Sequence, residues 1–418
     1  MSGVVPRVTQ PKRALAAPVM LVPFNKKYGE NLMLKQSHAI SEELIEWRRD
    51  FHMHPEIGFD LHRTSKIVAD ELEKMGYRVK RGVGKTGVVA EIGEGGKMVA
   101  IRADMDALPI LEQNEYEYVS QTPGAMHACG HDAHTAMALG AALLLSKEKL
   151  PGRVRFLFQP CEETSDEEGK SGAMRMAAEG AMDGVDYVIA QHVDPAQPVG
   201  TIGINAGPCS GGVDNWYGVI TGKGGHGAHP DQTIDPFHLL ALVILGLNGV
   251  VSRRINPFEP AVVSIGMIHG GFTENVIPDQ VKLSGTLRFT NADIHEQIRE
   301  EVKRVFEIAK TMGGGYELRF EYGGPPMVND EMVSGVIEKA GREILGTTNV
   351  HAIGKTLGAE DFSEFLRLAP GAMFTLGTQK KGHEEYKLHH PKFDLDERAL
   401  PIGTAMLVET TKRFLDNE

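Results

Sequence analysis

MHACGHDAHTAMALGAALLLSKEKLPGRVRFLFQPCEE, residues 126–163, is the stretch whose reading decides the fold. Its middle, Asp132–Ser146, is rich in Ala and Leu and reads as a buried helix. Its later part, Val154–Gln159, is β-branched and aromatic and reads as a strand. Residues able to hold metal stand around the start of that helix (Cys129, His131, His134) and directly after that strand (Glu162, Glu163). In open α/β sheets a site lies beyond the carboxyl ends of the strands. One segment therefore carries both a fold and a chemistry.

Working outward, Ser41 can cap a helix that ends near Pro55, with Glu42 and Glu43 in its first turn. A second helix covers about Arg63–Met75 and stops at Gly76. Val88–Ile92, Met98–Asp104 and Tyr187–His192 read as further strands. Strands alternating with helices imply an α/β layer built on a mostly parallel central sheet flanked by helices. After about Cys209 the pattern changes. Trp216–Thr221 is strand-like, Pro236–Val251 helical, Ala261–Ile268 and Val281–Thr290 strand-like, Ile294–Met312 helical, and Tyr316–Tyr322 strand-like. That β-α-β-β-α-β order is the ferredoxin-like unit. It interrupts the α/β domain, which is expected to resume with a helix at Met332–Ile344, a Gly-rich stretch, and a last helix from Asp396 to Leu415.

Length and composition fit this picture. The chain has 418 residues, room for two or three domains at ~100–200 residues each. Hydrophobic residues make up 41% and charged residues 24%, which excludes disordered and fibrous classes. Lys+Arg 44 against Asp+Glu 56 gives 44 − 56 = −12. An acidic chain without a basic run argues against nucleic acid as a partner. Three Cys cannot build a disulfide framework, so a reducing, cytoplasmic setting is expected. No apolar run approaches the ~18 residues of a membrane span. Met1–Glu30 faintly resembles a signal peptide, but Pro18 and Pro23 interrupt its apolar stretch, and it reads as a loose extension.

Five segments supply candidate chemistry. Asp104 and Asp106, at i and i+2 after a strand, point the same way and could hold a metal or a ligand His. Alone, such carboxylates are usually turn formers. Cys129 and His131 put a thiolate and an imidazole side by side before a helix, whose N-terminus favours the ionised thiol. Glu162 and Glu163 diverge in extended chain, so one can bind metal while the other faces water. His192 closes a strand, where a lone His is more often a core residue. His389 and His390 sit in a loop before the last helix. Together these donors exceed what one tetrahedral site needs. A two-metal centre is the economical account: two divalent ions ~3.5–4 Å apart activate a water and hold the developing oxyanion.

RADMDALP (102–109), MHACGHDAH (126–134), FQPCEE (158–163), QHVDP (191–195), GKGGHGAHP (222–230), ENVIPD (274–279), GTLR (285–288), GAEDF (358–362) and LHHPKF (388–393) occur in that order. As an ordered set they resemble the dinuclear amidohydrolases of the aminoacylase/carboxypeptidase-G superfamily. The likeness is to the subgroup of hippurate hydrolase, N-acyl-amino-acid amidohydrolases and plant auxin-conjugate hydrolases, and it covers about residues 40–415.

The resemblance implies that Cys129 bridges two metals, with His131 and His192 completing one and Glu163 and His389 the other. His389 is preferred to His390 because the family's ligand stands two before the Pro. Glu162 corresponds to the general base and Asp106 to a carboxylate orienting a metal-side group. Asp104 stands where other branches have a His ligand. His226 resembles a His that completes the site, often the partner subunit's, and Asn275 and Arg288 resemble contacts to the substrate's carboxylate end. For His226 the neighbouring His229 is a rival, and Arg288 could be a solvated strand residue. The implied layout is a 1–36 extension, a 37–209 catalytic part, a 210–323 lid and dimerisation domain, and a 324–418 second catalytic part. The implied cofactors are two divalent ions, Zn first, with Mn, Co or Ni as alternatives. The implied activity is hydrolysis of small N-acyl amino acids by a homodimer or homotetramer, or else a dipeptidase or carboxypeptidase reaction.

Overall fold

The computed structural model of the chain describes residues 31–416. The reading of Met1–Glu30 lies outside them. Eight strands form the main sheet: Arg78–Val83 (β1), Gly87–Gly93 (β2), Met98–Asp104 (β3), Arg153–Gln159 (β4), Tyr187–Pro198 (β5), Ile202–Gly203 (β6), Val350–His351 (β7) and Gly371–Gln379 (β8). Their spatial order is β1-β2-β4-β3-β5-β8-β6-β7. The centre, β4-β3-β5-β8, is parallel, while β1 and β2 join antiparallel at one side.

Strand β4 shows why the sheet is covered on both faces. Val154, Phe156 and Phe158 pack into one core and Leu157 into another, the period-two alternation of a strand. The first core is closed by the helices Leu32–Ala39, Ser41–Met53, His131–Leu145 and Leu400–Leu415, which pack on one another. Leu32–Ala39 precedes the helix read from Ser41, which is found as Ser41–Met53 with Ile40 as its N-cap, and it overlaps the expected extension; Met33 and Leu34 are buried. The N-cap of Leu32–Ala39 is Asn31, whose side chain accepts from Leu34 N–H.

Four strands of the main sheet escaped the sequence reading, the two-residue β6 and β7 among them. β1, Arg-Val-Lys-Arg-Gly-Val, is an edge whose charges hide its alternation. β8 lies inside the stretch read as Gly-rich, yet it is central. Its glycines are imposed by the neighbouring strand: a Cβ on Gly371 would stand 2.3 Å from Val188 O, and one on Gly377 2.1 Å from Pro198 O.

Between β6 and β7 a second sheet forms from Gly212–Thr221, Val262–Gly270, Gln280–Phe289 and Gly315–Gly324. All its pairings are antiparallel, with Gln280–Phe289 and Gly212–Thr221 central. The helices Pro236–Arg254 and Ala292–Thr311 pack on it over a core that includes Trp216, Leu247, Phe289 and Phe306. The protein is thus an α/β layer interrupted by an α+β ferredoxin-like unit. Among the described residues, Pro236–Arg254 is the one helix long and apolar enough to cross a membrane. Its Leu239, Leu240, Val243 and Leu247 are buried in the core of this second unit, while Phe237 and Leu245 are exposed.

One ion cluster ties the first helices to the site. Arg48, fully buried, reaches Asp132 at 2.9 Å, Asp394 at 3.0 Å and Glu397 at 3.3 Å. Arg49 also pairs with Glu397 but is partly exposed. Removing one partner of a buried pair strands the others, so Arg48→Ala is expected to cost about 3–5 kcal/mol in urea unfolding, against about 1 kcal/mol or less for Arg49→Ala.

Candidate metal centre

Parallel register brings the strand ends together: Asp104 pairs with Gln159, and His192 with Thr375. Gly130 then turns the chain into the helix His131–Leu145 with φ +84°. A Cβ there would stand 2.4 Å from Val193 Cγ2, so this position favours glycine twice over. The turn leaves Cys129 Sγ 3.5 Å from His192 Nε2. Ligand atoms of Cys129, His131 and His192 lie within 4.8 Å of one another, and so do those of Cys129, Glu163 and His389. His389 Nε2 is 3.3 Å and His131 Nε2 3.9 Å from Glu163 Oε1. Cys161 and His389 both adopt positive φ, +50° and +66°, backbone rare for side-chain-bearing residues and concentrated at functional sites.

The supporting hydrogen bonds aim these groups inward. His131 Nδ1 donates to Asp106 O at 2.8 Å and His192 Nδ1 to Val193 O at 2.8 Å. Each ring therefore presents Nε2, the arrangement by which metal-binding imidazoles are oriented. His131 Nε2 and Glu163 Oε1 are buried without a hydrogen-bond partner. Buried polar atoms seldom lack partners, and a cation beside both would satisfy them. The thiolate, imidazole and carboxylate set suits divalent metal ions. Burial pushes the Cys129 thiol well above its ordinary pKa. The helix N-terminus behind it and a bound cation would both favour the thiolate against that burial.

Asp106 works from below. Its carboxylate accepts the backbone N–H of Glu162 at 3.0 Å and of Glu163 at 3.1 Å. It thereby holds the two side chains apart. Burial and the carboxylates of Glu360, Asp361 and Glu163 push the Glu162 carboxyl well up, with His131 opposing. Asp104 holds a His, as its spacing allowed: His134 Nδ1 donates to it at 2.6 Å, and His134 Nε2 accepts Val193 N–H at 2.9 Å. With both ring nitrogens engaged, and burial pushing its pKa down to about 4, His134 is a structural imidazole.

A second network was not singled out from sequence. Arg102, buried in a strand whose seven positions are all buried, donates to Gln159 Oε1 (2.8 Å), Asp104 (2.6 Å), Glu360 (3.0 Å) and Asp361 (3.0 Å). Its signal was a basic side chain inside a strand that is otherwise apolar up to Asp104, which requires buried acids around it.

The site opens into a cleft of about 790 Å³ between the two sheets, lined by Cys129, Glu162, Glu163, His192 and His389 below and by Val213, Asn215 and Arg288 above. Arg288 is half-buried, bonds Leu287 O at 3.0 Å, and has no carboxylate partner among the described residues. His390 stacks on Tyr386 and accepts Lys392 N–H at 3.0 Å instead of facing Glu163. His226 and Asn275 lie elsewhere. Both are exposed on a small two-strand pairing of Gly225–His226 with Val276–Ile277, outside the residues lining this cleft.

Fold and site define a metal-dependent hydrolase of amide bonds, and comparison with known proteins agrees. A profile of peptidase family M20/M25/M40 matches residues 100–413, and the chain belongs to that family. An N-acetylcysteine deacetylase of Bacillus subtilis is 40% identical over 378 residues, 89% of this chain and 96% of that one. A thermostable carboxypeptidase of Saccharolobus solfataricus is 39% identical over 373 residues, 87% of this chain and 93% of that one. The crystal structure of the Bacillus subtilis YXEP protein, described as a dinuclear metal binding peptidase, superposes with a TM-score of 0.79 at 35% identity, covering 91% of this chain and 99% of that one.

If Cys129 serves both donor sets, Cys129→Ala should lose at least half of the bound metal by elemental analysis while the far-UV circular dichroism spectrum is kept. Full occupancy in that variant would remove Cys129 from the ligand sets.

Proposed function

We propose that the protein hydrolyses the amide bond of N-acyl amino acids, releasing a carboxylic acid and a free amino acid. The observation that carries this reading is Glu162, a half-buried carboxylate beside donor sets that converge on Cys129, facing a cleft whose far wall holds the Arg288 guanidinium, which has no carboxylate partner among the described residues. Cys129, His131, His192, Glu163 and His389 would hold two divalent ions, Zn first by donor type, with Mn, Co or Ni as alternatives. Such ions, when bound, would supply Lewis acidity toward a water and toward the amide carbonyl.

The chain's own residues do the rest. Arg288 takes the amino acid carboxylate as a two-pronged partner and so sets which way the amide lies. Glu162 accepts a proton from the attacking water and returns it to the leaving nitrogen. Its place at the cleft beside the donor sets suits both steps. Asp106 keeps Glu162 aimed through the backbone. His226 and Asn275, remote from the cleft within one chain, belong in this reading to the site of a second copy, as a homodimer or homotetramer joined through the ferredoxin-like unit would allow. The three buried free thiols fit a reducing, cytoplasmic setting. A second reading, cleavage of dipeptides or C-terminal residues, is favoured by the carboxypeptidase relative and uses the same residues.

Glu162→Gln should keep both metals and lower kcat by roughly 10²–10⁴, the usual contribution of a positioned acid–base group. Near wild-type turnover would exclude it as the base. Arg288→Ala should raise KM for hippurate more than it lowers kcat, read by steady-state kinetics. His226→Ala should be inactive alone, and mixing it with Glu162→Gln subunits should restore activity in mixed dimers. Absence of such rescue would confine the site to one chain.

A further inference from the structure

His192 is followed on the same strand face by Asp194, which also lines the cleft. Two residues of strand carry it about 6–7 Å further along. Among the described residues Asp194 forms no ion pair, unlike the acids that surround Arg102. Its carboxylate accepts Ala196 N–H at 2.8 Å and Gln197 Nε2 at 2.8 Å, and Gln197 Nε2 also donates to Thr375 Oγ1 at 2.9 Å. Both protons of that amide are thus spent, and Gln197 Oε1 is buried with no partner. The floor of this corner is Gly203, where a Cβ would stand 2.0 Å from Ile353 Cγ2, 2.5 Å from Thr375 Oγ1 and 3.2 Å from Gln197 Nε2. Gln197, Thr375 and Ile353 all line the same cleft.

We propose that the Asp194–Gln197–Thr375 corner is a subsite for a hydrogen-bond donor, an amino or ammonium group, carried by the acyl arm of the substrate. This rests on the amidohydrolase reading above. The corner presents acceptors with unfilled capacity and no cation of its own. An anionic wall repels the substrate's carboxylate, which Arg288 claims, so the acyl arm is the one that enters. Ile353 and Met373, on the same wall, supply apolar contact for that arm.

The test uses metal-loaded full-length Glu162→Gln, which binds substrate without consuming it, and isothermal titration with N-(4-aminobenzoyl)glycine and N-benzoylglycine. A charge-assisted or neutral hydrogen bond into a dehydrated corner is expected to make the amino compound bind roughly tenfold tighter. That margin should vanish in Glu162→Gln/Asp194→Asn while affinity for N-benzoylglycine stays within about twofold, a factor worth well under one hydrogen bond. Thr375→Val in place of Asp194→Asn gives a second route, which should narrow the margin if the first variant misfolds. Equal affinities for the two compounds, or a margin that survives both substitutions, would overturn the subsite. If the margin appears and vanishes as stated but wild-type enzyme cleaves neither compound, the subsite stands and the amidohydrolase reading falls.

Discussion

A single sulfur stands at the meeting point of both donor sets. Cys129 Sγ is within reach of His131 and His192 on one side and of Glu163 and His389 on the other. It is also buried, and burial opposes the thiolate that metal binding requires. His131 Nε2 and Glu163 Oε1 are left without hydrogen-bond partners in the same small volume. A protein that buries these groups together has arranged an electrostatic deficit that a cation resolves. Metal binding and local stability are coupled wherever the folded chain alone leaves such a deficit.

Around that deficit the structure arranges rigid support. Gly130 seats the Cys129 turn against Val193. Asp106 fixes the Glu162–Glu163 backbone, and Arg48 anchors Asp132, the neighbour of His131. Arg102 gathers Asp104, Glu360 and Asp361 beneath the other side of the cleft. Buried charges of this kind are costly unless paired. Their pairing concentrates on the residues flanking the candidate ligands, which holds the inward-facing nitrogens and oxygens in place.

The cleft then divides by charge. Arg288 comes from the second sheet and lacks a carboxylate, while Asp194 comes from the first and lacks a cation. The two walls thus each carry a charge without an ion-pair partner among the described residues.

Much of this was legible along the chain. The run Asp132–Ser146 followed by Val154–Gln159 announced an α/β layer, because apolar runs of those lengths bury on both sides. The order of elements after Cys209 announced the inserted ferredoxin-like unit, because periodicity changes with the element. Donor types were visible as well, since residue chemistry needs no coordinates. What linear reading missed was set by neighbours. β8 was hidden by glycines that only the adjacent strand's carbonyls demand, and Arg102 looked like an anomaly until its acids closed around it. His134 could not be told from a ligand until both its nitrogens were seen engaged. The remoteness of His226 and Asn275 from the cleft was likewise decided by tertiary structure, because distance across a cleft has no trace in sequence spacing. The sequence by itself determined which groups the protein has to offer. Only folding determined which of them share an atom's width of space, because residues from Asp104 to His389 meet solely where parallel strands end together.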